Sequence, residues 1–124
     1  MSFSYNVIDH VQLAAPVGGE EQAREFYRDV LGFEEIDKPA QLKKNGGVWF
    51  QCGHVHVHIG VEDGFVPAKK AHPAFQVINI AAMKGYLSES DIHYKVDDRL
   101  PGAERFYLSD PFGNRLEFLE WKAS

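Results

Sequence analysis

The chain has one cysteine in 124 residues. Cys52 can form no internal disulfide, so the fold must rest on its own core, and this thiol reads as a small, partly buried hydrophobe rather than a nucleophile. Lysine and arginine form no runs, and the formal charge is -5 with the six histidines neutral. Such a surface offers no cationic footprint for phosphate backbones, and nucleic acid is not an expected partner. No apolar run approaches the length of a membrane span, so no membrane partner is expected either. The opening stretch "MSFSYNVIDHVQL" has neither a basic n-region nor a long apolar h-region, which makes the cytoplasm the expected location.

What is present is the composition of an ordinary globular domain, 44% hydrophobic and 25% charged. A chain of this length buries roughly two thirds of its unfolded surface. One compact domain spanning residues 1–124 is expected.

The most unusual stretch is "GHVHVHIGVE", with His54, His56 and His58 at alternate positions and Val55, Val57, Ile59 and Val61 between them. Side chains of a strand alternate between faces, so this pattern predicts one apolar face and one face carrying three imidazoles. The polar face of an antiparallel sheet can simply look at solvent. Neutral imidazole is also the commonest metal ligand, which turns attention to a site.

Around this strand the chain reads as two similar halves. "VIDHVQLAA" alternates as a strand, with His10 and Gln12 on one face. "GEEQAREFYRDVLG" then places Ala23, Phe26, Tyr27, Val30 and Leu31 on one stripe, with acids in the first turn and Gly32 at the end, predicting an amphipathic helix. The segments "FEEIDKP", "GGVWFQCG" and the histidine strand follow. In the second half "HPAFQVI" predicts a strand and "NIAAMKGYLSES" a helix with Asn79 as N-cap. "IHYKVDD", "ERFYLSD" and "NRLEFLEW" complete it, and "DPFGN" predicts a hairpin through an Asp side-chain turn, with Gly and Asn in left-handed positions. "DGFVPAKKA" reads as the connection between modules at about residues 5–62 and 71–121.

Overlaying the halves pairs His10 with His72 at the first strands and His58 with Glu117 at the fourth strands. Four ligand-type residues related by an internal repeat are not something a solvated face requires.

Together, "IDHVQL", "AREFYRDVLGFE", "HPAF" and "RFYLSDPFGNRLEFLE" resemble the vicinal oxygen chelate superfamily, which includes glyoxalase (lactoylglutathione lyase), extradiol dioxygenases, fosfomycin-resistance transferases and bleomycin-resistance proteins. The resemblance implies an α+β, glyoxalase-like fold: two βαβββ modules forming a curled mixed sheet around a cavity. It implies a divalent metal held by His10, His72 and Glu117, with His58 at a fourth ligand position that is a glutamate in many lactoylglutathione lyases. A histidine there departs from the pattern, as an additional ligand or an imidazole base. It further implies a homodimer with His10 and His58 from one subunit and His72 and Glu117 from the other, while the sequence alone leaves pairing of the modules within one chain open. Two imidazoles and a carboxylate leave open positions on a divalent ion for a substrate with neighbouring oxygens. Zn, Ni, Fe, Mn and Co all accept this donor set.

The expected function is therefore a metal-dependent lyase, isomerase or dioxygenase acting on a small chelating molecule. The alternative is a metal-free protein that sequesters a small molecule, as bleomycin-resistance members do. Gln12, His56 and Gln76 are expected to face the substrate or support the ligands. His54 and His93 are expected at the rim or surface. Glu120 lies three positions from Glu117, hence on the opposite face as a surface carboxylate. Trp49, Phe50, Phe106 and Tyr107 are expected in the core or an interface.

Overall fold

A computed structural model describes residues 1–123. The chain divides into two compact units, Met1–Val66 and the part from Pro67 onward, a boundary inside the connection expected from its Gly and Pro content.

The first unit contains β1 (Val11–Pro16), α1 (Glu20–Ala23), a wider helical turn over Arg24–Arg28, β2 (Glu34–Ile36), α2 (Ala40–Lys43), β3 (Val48–Cys52) and β4 (Val55–Glu62). Its sheet runs β1-β4-β3-β2, with β1 parallel to β4 and the other pairs antiparallel. Register places Val48 opposite Ile59 and Phe50 opposite Val57, and all four are buried. Tyr27 packs on this apolar face, its ring 5.6 Å from that of Phe50. The opposite face of the same strands carries Trp49, paired with His58, and Gln51, paired with His56. Alternation thus gives the histidine strand one dry face and one chemical face, as its sequence predicts.

The helix differs from expectation. After one α-helical turn the backbone opens: Asp29 N–H bonds the Arg24 carbonyl at 3.1 Å, and Leu31 N–H bonds that of Phe26 at 2.9 Å, both five residues back. This inserts one residue per turn and takes Phe26, Val30 and Leu31 out of the deepest layer, leaving Ala23 and Tyr27 as the fully buried pair. The short helix α2, unanticipated from "DKPAQLKK", starts after Pro39, whose fixed φ suits that position. Cys52 ends β3 and is exposed, not partly buried, because the turn at Gly53 leaves it at the sheet's end.

The second unit repeats the topology with β5 (Ala74–Gln76), α3 (Ile80–Glu89), β6 (Lys95–Val96), β7 (Ala103–Ser109) and β8 (Arg115–Trp121), in the order β5-β8-β7-β6. Again the first and fourth strands pair in parallel. Phe75, Phe106 and Phe118 form its aromatic core with Ile80 and Leu87 of α3. Asn79 caps α3 as expected, accepting from Ala82 N–H at 3.2 Å. The hairpin expected at "DPFGN" is present: the Asp110 carboxylate accepts from Phe112 and Asn114 N–H at 2.9 and 2.8 Å. Gly113 has φ +88° as anticipated, but Asn114 has no positive φ; it is buried, and its amide donates to Asp110 instead.

The α+β architecture of two βαβββ modules expected from the sequence is therefore the architecture observed, each module a four-stranded mixed sheet.

Candidate metal and substrate-binding residues

In the first module, His58 occupies the polar face of β4 and is nevertheless only 7% exposed. Its ring lies between two others. Trp49 stacks on one side at 3.9 Å and 5°, and His10 on the other at 4.1 Å and 16°. Desolvation in this stack is the main reason the His58 imidazole is pushed down to about 4, with nearby His10 and His56 adding to it. A neutral ring at physiological pH keeps a lone pair available without competition from a proton. His10 sits one residue before β1 rather than within it, exposed at its edge, with Nδ1 2.9 Å from an Asp9 carboxylate oxygen. Gln12 pairs with His58 across β1 and β4, so the two share a neighbourhood on the polar face.

In the second module, His72 and Glu117 meet: Nε2 lies 2.8 Å from Oε1. The parallel register that sets Ala74 beside Glu117 brings the strand entry, and His72 with it, to this carboxylate. The other ring nitrogen, Nδ1, is 2.7 Å from the Lys70 carbonyl. Both partners of the ring, the Lys70 carbonyl and the Glu117 carboxylate, are hydrogen-bond acceptors. Arg105 donates from Nη1 to the second Glu117 oxygen at 3.3 Å and reaches Asp97 through Nη2 at 3.4 Å. Burial alone would raise the Glu117 carboxyl; the hydrogen bonds from His72 and Arg105 outweigh it and hold it below its ordinary value. Tyr107 packs edge-on to His72 and lies beneath the guanidinium of Arg115 at 4.1 Å.

Within each module two of the candidate residues lie together, His10 with His58 and His72 with Glu117. Among the described residues neither module by itself gathers three or more His, Cys, Asp or Glu side chains at metal-holding spacing. His56 is half-buried on the His58 face, whereas His54 falls in the turn before β4, exposed, because the strand begins at Val55. Gln76 is exposed on β5, and His93 is exposed as expected. Glu120 faces away from Glu117, but it is more than a surface carboxylate. It accepts from Asn79 and Ile80 N–H at 2.9 and 3.0 Å and so caps α3.

Sequence reasoning missed three participants, Trp49, Arg105 and Tyr107, the last set opposite Glu117 and packed against His72 rather than in a core. Trp49 was expected in a core or interface, although its pairing opposite a histidine on an alternating strand marks the polar face. Arg105 alternates with buried Phe106 on β7, the one signal that it shares the Glu117 face.

This arrangement has relatives. The chain belongs to the Glyoxalase/Bleomycin resistance protein/Dioxygenase superfamily, whose family model matches residues 7–118. It is similar to a glyoxalase family protein from Bacillus anthracis, with 55% identity over 98% of this chain and 100% of that one, and a TM-score of 0.94. A lactoylglutathione lyase from Agrobacterium tumefaciens is 25% identical over 89% and 91% of the two chains, with a TM-score of 0.66. A fosfomycin resistance protein from Listeria monocytogenes, 16% identical over 94% of each chain with a TM-score of 0.72, shares the fold. No curated protein matches the chain.

Proposed function

We propose that the protein is a divalent-metal-dependent enzyme of the glyoxalase and dioxygenase type, acting on a small molecule with neighbouring oxygen atoms. The observation that carries this reading is the His72–Glu117 pair. Its imidazole is oriented by a backbone carbonyl at Nδ1 and points Nε2 at a carboxylate 2.8 Å away, the supporting arrangement typical of a metal-ligating histidine. With Nδ1–H donating to the Lys70 carbonyl, the Nε2 position aimed at the carboxylate is filled either by a proton or by a divalent ion in its place. The donor set fits. His10, His72 and Glu117 would hold the ion, with His58 as a fourth ligand, and a metal there would supply a Lewis acid for polarising a chelated substrate.

Of the two roles expected of His58, burial favours ligation. A general base works best near the operating pH, and a ring pushed down to about 4 is a weak one at neutrality. Arg105 keeps the second Glu117 oxygen occupied, which holds the first towards His72. The lyase named among the relatives supports a substrate class of small oxygen-chelating compounds.

Arg105 also favours a second reading. With both Glu117 oxygens satisfied by protein donors, the pair is complete without an ion, as in a metal-free binding protein of the bleomycin-resistance type.

Isothermal titration of chelator-stripped protein with Zn, Ni, Mn and Co separates the two. The enzyme reading expects uptake of about one ion per chain that is lost in Glu117→Gln, with proton release on binding. Absence of uptake for every ion overturns it and leaves the binding-protein reading. A screen of hemithioacetals and catechols with the loaded protein then names the reaction.

A further inference from the structure

A groove of about 220 Å³ runs along the polar face of the first module beside His58. Gln12, Trp49 and Gly60 form its floor, and Lys38, Leu42 and Asn45 from the connection between β2 and β3 form its wall. That connection is fastened down. The Lys38 ammonium donates to the Gly46 carbonyl, and Gly47 N–H donates to Glu20 Oε2 at 2.9 Å. On the floor the Gln12 amide lies over Gly60: a methyl group there would come within 2.7 Å of Gln12 Nε2 and turn that flexible amide aside.

The lining has a definite chemistry. Among the described residues that line the groove Lys38 alone is charged, and the nearby Glu20 carboxylate lies behind the wall, accepting from Gly47 N–H. An ammonium has three hydrogens to donate, and the Gly46 carbonyl takes one. Trp49 and Leu42 add apolar surface, and the amides of Gln12 and Asn45 add directional polar groups. A volume below the roughly 300–1,000 Å³ of drug-sized sites suits a fragment of a metabolite. The groove also adjoins the proposed ligand His58: Trp49 stacks on that ring, and the Lys38 charge is felt by it.

We propose that this groove binds the carboxylate-bearing tail of the substrate, with Lys38 as the anion's partner and Trp49 as the wall against its apolar body. The substrate class is then a small organic acid. This inference rests on the enzyme reading only for the word substrate; the groove and its preference for an organic anion stand on the first module alone.

The test is an NMR titration of the full-length, metal-free protein, following the Trp49 indole N–H and the Gln12 and Asn45 side-chain amides. The probes are benzoate, benzyl alcohol, benzylamine and inorganic phosphate. Benzoate should shift these signals saturably, with the other three at least tenfold weaker. Lys38→Gln should weaken benzoate at least tenfold, and Lys38→Arg should retain it. Gly60→Ala, which displaces Gln12 and leaves Lys38 in place, should also weaken it, so the inference does not depend on one variant folding. Equal binding of benzoate to wild type and Lys38→Gln, equal binding of benzyl alcohol, or no shift at Trp49 overturns the proposal. Phosphate binding as tightly as benzoate overturns it as well, because a bare anion site needs no apolar wall. The titration uses no metal, so failed metal uptake with intact benzoate binding removes the enzyme reading alone, and the reverse result removes the groove alone.

Discussion

Replacing Gly47 by alanine should destabilise the protein far more than the same change at Gly32, and the difference is readable from the structure. Both residues have left-handed backbones, φ +87° at Gly47 and +81° at Gly32. For an L-residue that conformation costs about 1–2 kcal/mol at either position. The entropy the unfolded chain loses when glycine becomes alanine is also common to both, so it cancels in the comparison. At Gly32 a Cβ would meet nothing within 4 Å. At Gly47 it would lie 2.3 Å from the Ile59 carbonyl oxygen, which is backbone of a central strand and has little freedom to yield. Ordinary carbon–oxygen contact is about 3.3 Å or more, so the loop must lift by about 1 Å. That movement stretches the bond from Gly47 N–H to Glu20, and a hydrogen bond to a charged group is worth about 1.5–3 kcal/mol. Taking the lower figure for this half-exposed carboxylate, Gly47→Ala should cost about 3 kcal/mol or more against about 1–2 for Gly32→Ala. With urea slopes of about 1–3 kcal/mol per molar, unfolding midpoints of the two variants should differ by about 1 M at unchanged slope. Midpoints within about 0.2 M of each other, at equal slopes, would falsify the clamp on the β2–β3 connection.

Glu120→Gln should lower the thermal midpoint through loss of the charged cap on α3 while leaving metal uptake intact; loss of uptake instead would put Glu120 on the ligand face and shift the β8 register by one. Arg99 chiefly, with Arg105, holds the Asp97 carboxyl well below the usual carboxylate range. The folded state then binds fewer protons than the unfolded one, so this stabilisation is complete above the ordinary carboxylate value near 4 and is lost as pH falls through the lower folded value. Urea midpoints of wild type should accordingly fall more between about pH 6 and 3 than those of Asp97→Asn, and parallel curves would refute the assignment. We also expect a homodimer in which modules of different chains complete each other's ligand sets. Co-refolding His10→Ala with Glu117→Ala chains should then restore about a quarter of wild-type metal capacity, whereas zero recovery from a verified heterodimer would exclude sharing between chains.

The fold was legible because its signals are local and repeated. Period-two alternation at 55–61, the cap at Asn79, the Asp110 hairpin and the Gly and Pro of the connection each mark local structure without help from distant residues. The repeat then fixed which strands correspond. What escaped depends on packing. No local pattern in "REFYRDVL" distinguishes an α turn from the wider turn observed, because both satisfy the same backbone groups with the same side chains. The cap that Glu120 gives α3 joins residues 41 apart in sequence, and the Arg105 contact with Glu117 crosses two strands. The candidate ligand residues were recognisable by residue type and repeat position. The stacking partner Trp49 was not, since an aromatic residue on a strand looks the same whether it faces a core or a site.

The two modules share one strand order yet hold their histidines by unlike forces. His58 is gripped by flat aromatic surfaces, an interaction that salt scarcely alters and that leaves the edge of the ring unengaged. His72 is held by a carbonyl and a carboxylate, contacts that respond to charge and ionic strength. Duplicated scaffolding has thus produced two grips of different physical kinds. A charge-altering substitution near Glu117 acts on the contacts of the second imidazole, and a change in ring size at position 49 acts on the stack around the first.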